Sequence, residues 1–174
     1  RRESFIMQIS ALVSGSSGNC FYVENGGKAI LIDAGISAKQ ITLRLAALGK
    51  RPEIIKAIFI THEHSDHIKG ADMLARKLNI PVIATRRTAD KCLLCSDAKL
   101  VNYIKNSESV TIAGMQVTAF SKSHTCADPV SYTIRKSGRA ISVITDAGHA
   151  CKNIVSAVAD SDFLCIESNY DEEM

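Results

Sequence analysis

A chain of 174 residues with net charge +3, 46% hydrophobic and 22% charged residues, is too apolar to be wholly disordered and is sized for one domain over residues 1–174. No apolar run approaches the ~18 residues that cross a bilayer, so a membrane partner is not expected. The basic residues fall in small clusters, Lys50-Arg51, Arg86-Arg87 and Arg135-Lys136, which do not by themselves mark a nucleic-acid track.

In chain order, Met7 is a candidate start residue, with Arg1 to Ile6 ahead of it. Ile9 to Val13 is a short apolar run, and Ser14 to Asn19 is turn chemistry. Cys20–Val23 and Ala29–Ile32 flank Asn25-Gly26, which predicts a hairpin because both central turn positions need positive φ. Ser37 can cap a helix that places Ile41, Leu45 and Leu48 on one face and stops at Gly49. Ile54 to Ile60 reads as a buried strand, Asp66 to Leu78 as a helix, Pro81 to Ala84 as a strand and Thr88 to Leu94 as a helix. From Val101 onward strands dominate: 110–112, 116–120, 131–135, 140–144 and 163–167, with one helix over 151–158.

Strands followed by strand–helix alternation predict an α/β layered domain, sheets covered by helices. No G-x-G-x-x-G opens a helix, which argues against a dinucleotide-binding fold. The six cysteines are scattered and read as buried free thiols of a reducing compartment. Cys92-x-x-Cys95 lacks the second pair that a zinc knuckle needs, so it reads as structural.

The chemistry concentrates in Thr61-His62-Glu63-His64-Ser65-Asp66-His67, which follows the apolar run Ile58-Phe59-Ile60. Three of the chain's five histidines lie here with two acids, and imidazole and carboxylate are ligands for first-row metals. While the chain is still extended, His62 and His64 point the same way and can grip one ion. Asp66 and His67 open the next helix, point elsewhere, and can grip a second.

This segment resembles the T-H-x-H-x-D-H signature of the metallo-β-lactamase superfamily. The resemblance implies an αββα sandwich with the ligand loop at its edge. It also implies a third histidine ligand at His124, an Asp that bridges two metals at Asp146, and at Asp33 a carboxylate that orients the ligand loop. His149 matches no ligand position. No histidine follows His149, so the final ligand of the superfamily and its last strands are expected to be missing from this stretch, leaving the sandwich incomplete. His62, His64 and His124 are then the more complete site, and Asp66, His67 and Asp146 the weaker one.

Several stretches resemble the bacterial YycJ/WalJ group within the superfamily: Ser14 to Cys20, Thr61 to Gly70, Asp128-Pro129-Val130 and Glu167-Ser168-Asn169. That resemblance implies a cytoplasmic, metal-dependent DNA exonuclease, although Tyr170 stands where the group usually shows His. The implied cofactors are two divalent ions, zinc or manganese, activating a hydroxide that attacks phosphorus, with Asp66 as the catalytic carboxylate. RNA or small-molecule phosphodiesters, small esters or thioesters, and an inactive metal-binding fragment remain alternatives.

Overall fold

The computed structural model describes residues 7–167. Arg1 to Ile6, Ser168-Asn169 and Tyr170 lie outside the described residues.

The first sheet has six strands in sequential order: β1 (Gln8–Val13), β2 (Cys20–Asn25), β3 (Lys28–Ile32), β4 (Ile55–Phe59), β5 (Val82–Ala84) and β6 (Val101–Tyr103). β1 to β3 pair antiparallel, and β3 to β6 pair parallel. The second sheet runs β11 (Phe163–Ile166), β10 (Arg139–Ile144), β9 (Val130–Lys136), β8 (Met115–Ser121) and β7 (Ser109–Ile112). It is antiparallel except for the β10–β11 pair.

Period-two alternation divides the apolar residues between two cores. Leu31, Ile58 and Ile60 face outward, where they meet Ile41 and Leu45 of α1 (Ala38–Ala47) and Leu74 of α3 (Ala71–Leu78). Ile30, Ile32, Ala57 and Phe59 face inward, where they meet Met115, Val117, Tyr132, Ile134 and Val143 of the second sheet. Helix α5 (Lys152–Ala159) connects β10 to β11 and packs on β8 and β10. The layers are therefore helix, sheet, sheet, helix, the expected αββα arrangement. Among the described residues no helix is long and apolar enough to cross a membrane.

Helix α1 starts as read: Ser37 Oγ accepts from Gln40 N at 3.3 Å, and Gly49 follows the helix at φ +68°. The first hairpin forms one residue later than Asn25-Gly26 implies. Asn25 is still paired with Lys28, and the two positive-φ positions are Gly26 and Gly27.

Two helices differ from expectation. The single helix over 66–78 is split into α2 (Ser65–Ile68) and α3. The His67 carbonyl, which a continuing helix would use, accepts from Ala34 N at 2.8 Å, while Gly70 N donates to Ala34 O at 2.8 Å. A Cβ at Gly70 would lie 2.2 Å from Ile36 O, so this close approach requires glycine. The helix over 88–94 is replaced by α4 (Arg86–Ala89), because Thr85 Oγ1 caps the earlier turn by accepting from Thr88 N. Leu94 and Cys95 are then buried in the outer core from an irregular segment.

Candidate metal centre

The candidate residues gather at one rim of the sandwich, in the segments and the short helix that follow strand ends. Asp33 follows β3, Thr61 and His62 follow β4, Asp66 and His67 lie in α2, His124 follows β8 and Asp146 follows β10. Both sheets therefore contribute. The rim is tied across the layers by Val130 N donating to Thr61 O at 3.0 Å and Tyr132 Oη donating to Ile60 O at 2.8 Å. Glu63 Oε1 accepts from Ala127 N at 2.7 Å and anchors the His124 loop to the histidine segment.

Asp33 lies behind the histidines, fully buried, with φ +62°. Its Oδ1 accepts from Thr61 N at 2.8 Å, and its Oδ2 accepts from Thr61 Oγ1 at 2.9 Å and from His67 Nδ1 at 2.7 Å. The last of these fixes the His67 ring so that Nε2 faces the rim. There Nε2 lies 2.9 Å from Asp146 Oδ2, 3.4 Å from Asp66 Oδ2 and 3.3 Å from Asn19 Nδ2.

Two groups of donor atoms result. His62, His64 and His124 form one, with every ligand atom within 4.8 Å of the others; His62, His67 and Asp146 form the second to the same limit. His62 Nε2 is 3.0 Å from His64 Nδ1, and His124 Nε2 is 3.4 Å from the same atom. The sequence assigned His62 to one group alone, but the structure puts it in both. Its ring lies between His64 and His67, with centroids 4.5 and 4.0 Å away. Asp66 lies beside the second group and outside the three donors that compose it. His149 is exposed.

Charge is unevenly distributed over these rings. Burial opposes a charged His67, but Asp33 and Asp146 outweigh it and raise the imidazole to about 10. Burial, the His67 cation and Lys122 push His62 far below its ordinary value, so it is a neutral donor. Burial, aided by Lys122, also lowers His124. Burial works against the Asp146 carboxylate, yet His67 and Lys122 hold it well below the usual range.

The residues present fit a divalent ion. Asp146 Oδ2 is buried and lies at ion-pair distance from His67, but it has no aligned hydrogen-bond donor. A buried carboxylate oxygen left in this way, between the His67 cation and the neutral His62 ring 3.9 Å away, keeps lone-pair capacity that no aligned donor uses. An N,O donor set of this kind suits first-row divalent ions.

Some functional candidates gave little signal in the sequence. Asn19 touches His67 from a loop that reads only as a turn. Lys122, at the end of β8, is only 6% exposed, and its Nζ donates to Thr145 O and, at 3.2 Å, to Thr145 Oγ1. A lysine closing an alternating strand normally reads as solvated.

With sheets, helices and donor groups so arranged, the chain belongs to the metallo-β-lactamase superfamily, whose family model matches residues 13–120. Divalent-metal binding goes with that superfamily. Within it the chain is similar to the exodeoxyribonuclease WalJ of Streptococcus pneumoniae, 36% identical over 170 residues that cover 95% of this chain and 63% of that protein. It is likewise similar to the exodeoxyribonuclease YycJ of Bacillus anthracis, 34% identical over 177 residues, 97% of this chain and 65% of that protein. The chain thus spans somewhat less than two thirds of the length of these relatives. A metallo-β-lactamase of Cronobacter sakazakii shares the fold, with a TM-score of 0.70 and 18% identity over 91% of this chain and 80% of that one.

Proposed function

We propose that the protein hydrolyses phosphodiester bonds of DNA, as an exonuclease, at a centre holding two divalent ions, zinc or manganese. The observation that carries this reading is the pair of donor groups that share His62 at the rim. The names of the WalJ and YycJ relatives support DNA as the substrate. Six cysteines, all free, support a cytoplasmic location.

Bound divalent ions supply positive charge that acidifies water near neutral pH and offsets charge on phosphate oxygens. His62, His64 and His124 would hold one ion, and His62, His67 and Asp146 the other. Asp33 keeps the His67 Nδ1 proton in place, so Nε2 is the atom offered. Asp66, at the mouth of the site with a side chain 32% exposed, orients the attacking water and accepts its proton. As the water oxygen bonds to phosphorus, the bond from phosphorus to the leaving sugar oxygen breaks, and that oxygen takes a proton from solvent.

The test is metal content by elemental analysis together with digestion of 5′-phosphorylated DNA in added manganese or zinc, comparing wild type with Asp66→Ala. Bound metal, with DNA degraded by wild type and at least a hundredfold more slowly by the variant, is the expected result. Metal without nuclease activity would move the assignment to another ester. Absence of metal would overturn the reading.

A further inference from the structure

We infer that Lys122 is a positioning residue, whose buried ammonium holds the Thr145–Asp146 turn and thereby sets the Asp146 carboxylate against His67. The inference rests on the reading of Asp146 as a metal ligand.

Strand β8 buries Met115, Val117 and Ala119 between the sheets. Just past its end Lys122 turns inward and is almost completely covered. A buried ammonium is costly unless hydrogen-bonded, so its position requires an account. It cannot serve as a surface contact for a phosphate backbone, because nearly all of it is enclosed. Both of its bonds go to a single residue, Thr145, at the end of β10.

The next residue explains the arrangement. Asp146 has φ +46°, in the left-handed region that residues with a Cβ adopt uncommonly. Contacts on either side of it hold this conformation in place. On one side of Asp146, Lys122 grips the Thr145 carbonyl and hydroxyl. On the other, Gly148 N donates to Ser123 O at 2.8 Å, and Asp146 N donates to Glu167 Oε2 at 3.4 Å. Lys122 and Ser123 immediately precede His124, so the same short segment that carries one histidine also fixes the turn that carries Asp146. The Thr145 hydroxyl in turn lies 3.5 Å from Thr61 Oγ1, which donates to Asp33. A continuous polar chain from Lys122 to Asp33 thus runs beneath both donor groups. Removing its only ammonium leaves the buried Thr145 carbonyl without that donor and frees the turn to relax toward negative φ. Asp146 would then withdraw from His67.

The experiment is calorimetric titration of the ion-free protein with Zn²⁺, and with Co²⁺ for its visible spectrum. It compares wild type, Lys122→Met, Asp146→Asn and the double variant. The expected result is at least a tenfold weaker second binding event in Lys122→Met, with the first event unchanged. Its Co²⁺ spectrum should match that of Asp146→Asn, and the double variant should bind no more weakly than Asp146→Asn alone. A Lys122→Met titration identical to wild type overturns the inference, as does an equal further loss in the Asp146→Asn background. If Lys122→Met fails to melt cooperatively, Thr145→Val replaces it: a threefold or greater weakening of the same event is expected, and no change overturns the inference. Wild type binding no Zn²⁺ would overturn the metal-centre reading and this inference with it. Wild type binding Zn²⁺ while Lys122→Met and Thr145→Val bind as wild type does overturns this inference alone.

Discussion

Replacing Asp33 by Asn alters one charge beneath the site while keeping a side chain that tolerates the positive φ at this position. The carboxylate accepts three hydrogen bonds, two from Thr61 and one from His67. An amide can keep its oxygen toward Thr61 N and let the Thr61 hydroxyl rotate. Its NH2 then faces His67 Nδ1, which must change from donor to acceptor. The proton moves to Nε2, the atom offered to the rim. Loss of one partner of a buried pair costs about 3–5 kcal/mol. We expect the low end, about 3 kcal/mol, because His67 can discharge. Metal affinity at the His67 group should fall roughly tenfold to a hundredfold. The sign of the pH effect follows from His67, whose folded pKa of about 10 lies above its ordinary 6.5. In chelator, the stability that it adds is fully present below about 6.5 and is lost as pH rises through about 10. Urea midpoints of the ion-free wild type should decline across that window, and those of Asp33→Asn should be flatter. Urea denaturation with Zn²⁺ titration measures both effects. A variant within about 1 kcal/mol of wild type, with zinc affinity within about threefold, would refute the claim that Asp33 sets the His67 proton.

Three further outcomes are expected. Gly35→Ala places a Cβ 1.6 Å from the Asp66 carbonyl oxygen and 2.5 Å from Asn19 N, both backbone atoms, so the ligand loop must move. A loss of about 3 kcal/mol, or a Tm drop of roughly 10 °C, should appear in a thermal melt. His62→Ala removes the donor common to both groups. Elemental analysis should find it depleted of metal, whereas His124→Ala should retain part. Saturating zinc at a hundredfold over Kd should raise wild-type stability by about 2.7 kcal/mol, a gain that chelator abolishes.

The strand ends are the part of this molecule most open to reading from its sequence. The largely apolar runs 30–32, 58–60 and 141–144 are followed within two residues by Asp33, His62 and Asp146, because a buried strand has no place for a carboxylate or imidazole until it reaches the rim. The layer order follows from the same alternation, since Leu31 and Ile58 go to one core while Ile30 and Phe59 go to the other. What stayed hidden depends on contacts between distant segments. The break at Gly70 exists because Ala34 takes the His67 carbonyl, and nothing between residues 66 and 78 announces that contact. The sharing of His62 between two donor groups depends on how Asp33, Ala34 and Asn19 hold α2 against the end of β4. Lys122 and Asn19 are polar residues in ordinary polar surroundings along the chain, and only the fold encloses them.

The carbonyls of Ile60 and Thr61, immediately ahead of His62, are both claimed by the opposite sheet, through Tyr132 and Val130. The course of the histidine segment therefore depends on β9 being docked. The donor cluster is thus made by contacts of long sequence separation, about seventy residues apart, that bring the two layers together. Loosening β9 would therefore disturb the donor cluster even though none of its ligands lies on that strand.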